Sequence, residues 1–178
     1  VKYLPEFQLS DPAATAGITI RDLLSHRSGL PHFTAESMQF MGMSPDEIVH
    51  ALRYIPMKHK VGEAYGYQNV FPGVAVMLIE RVTGKKYRDL LQSYFLTPLG
   101  MSETCVGLKC LVPEQKSFLG RVISKEKPLN VATNHTLRND QPWPIAPNYR
   151  HFTFEGTSGV VASIHDMAKW LTFRLAGC

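Results

Sequence analysis

The first clear secondary-structure signal lies in residues 18–31, ITIRDLLSHRSGLP. Thr19 is a residue type that accepts main-chain N–H groups at a helix start, and Asp22 follows three positions later, as in a capping box. The leucine pair that begins at Leu23 supplies an apolar side for the helix. Glycine is the residue that most often ends a helix, so the segment predicts a short helix that stops near Gly29.

A second helix start follows in the next part of the chain. Ser44 and Glu47 repeat the capping-box pattern, and Pro45 occupies the first helical position, where its missing N–H costs nothing. Pro56 ends the segment. Apolar side chains recur between these limits at helical spacing, which predicts one buried stripe: Ile48, Ala51, Leu52 and Ile55.

Three further helices are indicated downstream. Residues 70–82 are apolar on nearly every face, which favours a central buried helix that stops at Gly84. Residues 87–95 predict an amphipathic helix that ends before Pro98. Ser163 begins a last helix, for which we expect one apolar side: Met167, Ala168, Leu171 and Leu175.

The signals weaken in residues 105–160, where prolines alternate with Asn and Asp. We predict long loops there, with short strands at Gly120–Ser124 and His151–Phe154. A loop-rich stretch of this length is either functional or depends on another part of the protein for order. The prediction is a mainly α chain in which residues 1–178 form a single partial domain.

Composition narrows the classes of function. The chain has 178 residues, 44% of them hydrophobic and 19% charged, which argues against disorder and coiled coil. The net charge is +4, from 19 basic and 15 acidic residues, and no run of five basic residues occurs. We therefore expect no nucleic-acid partner. The longest apolar run, Val74–Ile79, is too short to span a membrane.

Cysteine and histidine spacing gives no metal pattern. The three cysteines are Cys105, Cys110 and Cys178. Cys105 and Cys110 could pair, but free thiols are the favoured interpretation. None of the seven histidines forms an HExxH pair, and no phosphate-binding glycine loop is present, so no metal or cofactor is expected. His26 and His32 lie on either side of a turn, where a hydrogen-bonded structural role is favoured over metal ligation.

Two groups of residues could carry chemistry. Ser124 and Lys127 fit the S-x-x-K spacing of a nucleophile with its base, but their polar flanks favour a chance surface match. Tyr67 and Asn69 precede the apolar helix. A tyrosine can relay a proton and an asparagine amide can hold both a lysine and a substrate carbonyl. The alternative is a packed tyrosine and a helix cap.

Five segments of the chain, taken in order, resemble the sequence pattern of the serine β-lactamase-like family. This family includes class C β-lactamases, D,D-peptidases and carboxylesterases. Residues 1–7 also match the family segment that precedes these five. The likeness therefore runs from Val1 to about Leu175 and is weakest from Cys105 to Glu155. The five segments are residues 18–31, 67–69, 79–84, 96–101 and 156–171.

The resemblance implies the helical domain of an α+β fold whose five-stranded antiparallel sheet is largely missing from this chain. The family's serine and lysine precede the segment that matches residues 1–7, and its K-T-G or H-x-G strand follows the last helix. Neither region is present. By the same resemblance, Tyr67 relays a proton between nucleophile and leaving group, and Asn69 contacts the substrate amide and the lysine. Val61-Gly62 replaces the family's Pro-Gly, and Ser158-Gly159 replaces its paired glycines.

The implied activity is that of a serine hydrolase that forms an acyl-enzyme on amide or ester bonds (a β-lactam, a D-Ala peptide or an ester). The fragment alone is expected to be inactive. The alternative is a non-catalytic helical interaction domain, with self-association through the face that the missing sheet leaves exposed. Bacterial members of the family mostly work in the periplasm or cell envelope, so the resemblance implies that location, although the chain carries no signal peptide.

Overall fold

The computed structural model describes residues 2–107, 110, 131–145 and 154–177. Helices dominate this part of the chain. The first six α-helices are α1 (Pro12–Gly17), α2 (Ile20–Leu24), α3 (Glu36–Phe40), α4 (Pro45–Ala51), α5 (Val70–Thr83) and α6 (Tyr87–Leu91). A 3₁₀ turn, Leu52–Tyr54, extends α4, and a π-helical turn, Gln92–Leu96, extends α6. The last two helices are α7 (Glu155–Ser158) and α8 (Ile164–Leu175).

The strands are short and form two antiparallel pairs. They are β1 (Cys105–Val106), β2 (His135–Arg138), β3 (Gln141–Pro144) and β4 (Val160–Val161). Strand β1 pairs with β4, and β2 with β3. The β2–β3 hairpin turns at Asn139 and Asp140, both with positive φ, a conformation that Asn and Asp tolerate well. Both of its strands are fully exposed.

Both predicted capping boxes are confirmed. Thr19 Oγ1 accepts the main-chain N–H of Asp22 at 3.2 Å, and the Asp22 carboxylate accepts that of Thr19 at 3.0 Å. Ser44 and Glu47 make the same exchange at the start of α4. Helix α2 ends earlier than predicted, because His26 already has a left-handed φ of 57°.

Helix α5 has its predicted bounds and ends at Gly84, whose φ is 68°. Its first half is buried, with Phe71 fully enclosed. The second half is not central, because Ile79 and Val82 are 41% and 56% exposed. The prediction of a wholly buried helix is therefore wrong for the last two turns.

The core lies between α4, α5 and the N-terminal segment. Ile48 and Leu52 are fully buried, as the helical spacing predicts, while Ile55 is only partly covered. Val49 is also fully buried, although it lies off the predicted stripe, because the core contacts α4 over a wider arc. The remaining large members of this cluster are Leu4, Phe7, Leu9, Leu23, Leu30, Val70, Phe71, Val74 and Phe154.

Helix α7 lies directly against α5 at two glycines. A Cβ atom built on Gly73 would lie 1.9 Å from Cδ1 of Phe154. One built on Gly156 would lie 2.7 Å from the carbonyl oxygen of Pro72. Any side chain at either position would therefore separate the two helices.

The apolar side predicted for α8 does not face the described part of the protein. Met167, Leu171 and Leu175 are 44%, 58% and 78% exposed. Trp170 instead packs inward, against the small cluster that contains Leu96. The spacing identifies an apolar stripe correctly but not what covers it.

Asp166 is the charged residue that α8 buries completely. Its carboxylate accepts the N–H of Glu103 and the hydroxyl of Thr104, each at 2.8 Å, and pairs with Lys169 at 2.8 Å. The hydrogen bond from Lys169 is the main reason that the pKa of Asp166 is lowered, and it outweighs the opposing effect of desolvation.

This lowered pKa makes the free energy of unfolding depend on pH. The folded-state pKa lies below the unfolded value of about 3.9, so the stabilisation is complete above that value and is lost as pH falls through the folded pKa. We expect Asp166→Asn to lower the urea midpoint at pH 7, and the gap to wild type to close as pH falls below about 4. Urea unfolding of wild type and Asp166→Asn, from pH 7 to below about 4, measures this gap. The exposed Asp46→Asn is the control, and a gap that is independent of pH would contradict the assignment.

The structure corrects the interpretation of the cysteines. Cys105 and Cys110 form a disulfide, with Cα atoms 5.7 Å apart, where free thiols were expected. The two residues are five positions apart in the sequence, and the N–H of Cys110 donates to the Gly107 carbonyl at 3.1 Å. Cys178 and the predicted strand at Gly120–Ser124 lie outside the described residues, as does His151–Phe154 except for Phe154 itself. No described helix is long and apolar enough to cross a membrane.

Candidate functional site

Two segments that are distant in sequence run side by side and position Tyr67. The N–H of Gly62 donates to the Arg27 carbonyl at 2.8 Å, and that of Gly66 donates to the His26 carbonyl at 2.7 Å. The N–H of Phe33 then donates to the Tyr67 carbonyl at 2.9 Å. These main-chain bonds attach the turn that follows α2 to the loop that leads into α5.

Glycines allow this close approach. A Cβ atom on Gly29, whose φ is 85°, would lie 2.3 Å from the carbonyl oxygen of His59. One on Gly66 would lie 2.7 Å from the carbonyl oxygen of Leu30. These two glycines therefore serve the placement of Tyr67 and not the end of α2, which stops at Leu24.

Tyr67, Asn69 and Glu36 form a hydrogen-bonded chain of three side chains. The Tyr67 hydroxyl donates to Asn69 Oδ1 at 2.7 Å. Asn69 Nδ2 in turn donates to Glu36 Oε1, on the first turn of α3. Tyr67 and Asn69 are both half-buried, so neither is enclosed in the apolar core. Asn69 precedes α5 but its side chain makes no capping bond, so the helix-cap interpretation does not hold.

Both histidines of the preceding turn hold the same loop. His26 Nδ1 accepts the main-chain N–H of Gln68, and His32 Nδ1 accepts that of Tyr67, each at 3.3 Å. The His26 ring also lies 4.7 Å from the Tyr67 ring, centroid to centroid. The predicted structural role of hydrogen-bonded histidines is confirmed, and their target is the candidate site.

Backbone strain is concentrated beside Tyr67. His26, Phe33 and Ala35 all have positive φ, between 56° and 66°, although none is glycine. Such conformations cost about 1–2 kcal/mol each and persist where the surrounding structure imposes them, often at functional sites. Phe33 packs edge-on against Tyr67 at 5.6 Å, while 58% of its own side chain stays exposed.

Two further contacts hold residues 67–69, one from Pro31 and one from α7. Gln68 is fully buried and its Nε2 donates to the Pro31 carbonyl. The Thr157 hydroxyl donates to the main-chain carbonyl of Asn69 at 2.5 Å. Helix α7 thus holds Asn69, and the turn after α2 holds the two residues before it, Tyr67 and Gln68.

The structure brings together Tyr67 and Asn69, the two site residues that the sequence predicts. Ser124 and Lys127 lie outside the described residues. Within the described ranges, no group of three or more His, Cys, Asp or Glu side chains could hold a metal ion. Glu36 was missed, because a glutamate 33 positions before Asn69 gives no local signal.

The sequence model of the Beta-lactamase family matches residues 1–177. The chain belongs to the beta-lactamase family. This agrees with the resemblance seen in the sequence and gives the helical architecture its place in a β-lactamase-like fold.

Similar curated proteins come from fungi and bacteria. Unguisins hydrolase ungD of Aspergillus violaceofuscus is 34% identical, over 93% of this chain and 28% of its own length. Protein flp of Staphylococcus aureus is 24% identical, over 98% of this chain and 32% of its own. The chain therefore spans about a third of the length of the curated relatives it matches.

Solved structures show the same fold. The D-amino acid amidase of Ochrobactrum anthropi aligns with a TM-score of 0.65 and 26% identity, over 94% of this chain and 45% of the amidase. FmtA from Staphylococcus aureus aligns with a TM-score of 0.68 and 22% identity, over 98% of this chain and 43% of its own. The chain thus belongs to a family of hydrolases that includes amidases.

Proposed function

We propose that this chain forms one wall of the active-site cleft of a serine hydrolase that acts through an acyl-enzyme. Tyr67 is the proton relay and Asn69 is the amide that holds the substrate carbonyl. The hydrogen bond between the Tyr67 hydroxyl and Asn69 Oδ1 carries the proposal, because it places a group that can accept one proton and release another directly beside the amide that would hold the substrate carbonyl.

The attacking hydroxyl belongs to a part of the protein outside residues 1–178. Covalent catalysis of this type needs a nucleophile with its base in hydrogen-bond reach, and the described residues place neither a serine nor a lysine in contact with Tyr67. The coverage of about a third of the curated relatives supports this view. The five-stranded sheet would come from the same missing part.

Amide bonds are the favoured substrate class. The name of the most similar relative described above is that of a hydrolase, and a neighbour at 26% identity is an amidase. An amine is a poor leaving group unless it is protonated as the bond breaks, so a relay such as Tyr67 is most useful for amides. The periplasmic or cell-envelope location stays a prediction.

Labelling with a fluorophosphonate and a fluorescent penicillin tests the proposal. We expect no covalent adduct on the 178-residue chain and a single adduct on the complete protein, at a serine outside these residues, because loss of the nucleophile abolishes acylation. Intact-mass spectrometry followed by peptide mapping locates the adduct. An adduct on this chain, at Ser124 above all, would show that the nucleophile has been misplaced.

One observation favours a second candidate, a non-catalytic helical interaction domain. Met167, Leu171 and Leu175 lie exposed along one side of α8, and exposed apolar stripes usually mark a contact surface. For this candidate, the stripe is the surface through which two copies of the chain associate. The same labelling separates the candidates, since a complete protein that takes up neither probe would favour the interaction domain.

A further inference from the structure

Glu36 is the charged end of the chain that begins at the Tyr67 hydroxyl. A carboxylate only accepts hydrogen bonds, so the group of Asn69 that faces it must be the NH₂. The amide oxygen is then turned toward Tyr67, and an amide oxygen also only accepts. The phenolic hydroxyl therefore has to be the donor in its 2.7 Å bond to Asn69.

We propose that Glu36 is a positioning residue, whose carboxylate fixes the orientation of the Asn69 amide and, through it, the direction in which the Tyr67 hydroxyl donates. The inference rests on the proposed roles of Tyr67 and Asn69. Without Glu36 the side-chain amide of Asn69 can rotate by half a turn, so that its oxygen and nitrogen exchange places. Its NH₂ group would then donate to the phenolic oxygen, and the Tyr67 hydroxyl would lose the acceptor that fixes its direction.

The setting of Glu36 favours a directed contact over a chance one. The residue lies in the first turn of α3, just after two residues with positive φ, Phe33 and Ala35, that lead the chain into this helix. Its side chain is half-buried, and it reaches an amide whose main chain is held by Thr157 from the other side. Main chain and side chain of Asn69 are thus fixed by separate elements.

The amide nitrogen of Asn69 has two N–H groups, and Glu36 takes one of them. Among the described residues no second acceptor contacts this nitrogen. The second N–H is available for a substrate carbonyl. Glu36 thus orients the donor without using up its capacity, which is what a positioning residue in this proposed role has to do.

Three variants of the complete protein test the proposal. Glu36→Leu removes the acceptor at similar size, Glu36→Gln keeps the shape and removes the charge, and Asp89→Asn changes an exposed acid in the first turn of the equally short α6. The first readout is the side-chain amide signal of Asn69 in protein labelled with [¹⁵N]asparagine, assigned with Asn69→Ser. The second is kcat and KM for an amide substrate.

We expect the Asn69 amide signals to move in both Glu36 variants and not in Asp89→Asn. In Glu36→Leu, kcat should fall about tenfold, the effect of one hydrogen bond of ordinary strength, with KM little changed and with Glu36→Gln in between. The fall should become smaller in a Tyr67→Phe background, because part of the effect of Glu36 passes through the phenol. A merely structural residue would not show this dependence on Tyr67.

Unmoved amide signals in Glu36→Leu would overturn the proposal, and so would an unchanged kcat in a folded variant with moved signals. If the complete protein hydrolyses no amide or ester, the proposed function fails on its own. The amide signals then still decide whether Glu36 orients Asn69.

Discussion

Tyr67→Phe is expected to lower kcat/KM for an amide substrate by about 10²–10⁴-fold in the complete protein, the range that general acid–base groups contribute. The variant keeps the ring, with its contacts to His26 and Phe33, and removes only the hydroxyl that donates to Asn69. Steady-state kinetics on an amide and on a p-nitrophenyl ester measure the effect. The ester should lose less, because its leaving group departs without a proton.

Tyr65→Phe is the matched control for this experiment. Tyr65 lies two residues away in the same loop, contacts the rings of His26 and His32, and is 59% exposed. Its hydroxyl has no proposed role, so kcat/KM should stay within about twofold of wild type, as for most surface changes. An equal loss in both tyrosine variants, or an equal loss on amide and ester, would contradict the proton relay.

Local patterns made much of the fold predictable. The capping boxes at Thr19 and Ser44 are exchanges between residues three positions apart, so sequence spacing alone contains them. The burial of α8 is different. Its apolar stripe is present, but the side that is buried is the one that carries Asp166. The Asp166 carboxylate accepts hydrogen bonds from Glu103 and Thr104, more than 60 positions away in the chain. No local pattern encodes such a contact.

The candidate site divides in the same way. Tyr67 and Asn69 are two positions apart and carry a recognisable pattern, so the sequence could identify them. Glu36 joins them from 33 positions away, after Phe33 and Ala35, whose left-handed backbone is not indicated by their residue types. The disulfide between Cys105 and Cys110 is one of two alternatives that the sequence leaves open, because spacing alone does not give the distance between the two Cα atoms, which is 5.7 Å.

Phe154→Ala is expected to cost about 3–5 kcal/mol of unfolding free energy, the usual range for a large aromatic removed from a core. Phe154 is 3% exposed, and its ring lies on Gly73 where α7 meets α5. Urea unfolding measures the loss. Tyr54→Ala, which truncates an aromatic side chain that is 74% exposed, is the control and should cost about 0.5 kcal/mol.

A double-mutant cycle tests whether Gly73 and Phe154 are one packing unit. Gly73→Ala alone places a methyl where the Phe154 ring lies, and such overpacking costs about 1–3 kcal/mol. In the double variant the methyl enters space that the ring has left, so the total should fall short of the sum by about 0.5–3 kcal/mol. Strict additivity would mean that α7 does not lie on α5 as described. Because α7 also carries Thr157, which holds Asn69, the same loss of packing should reach the candidate site.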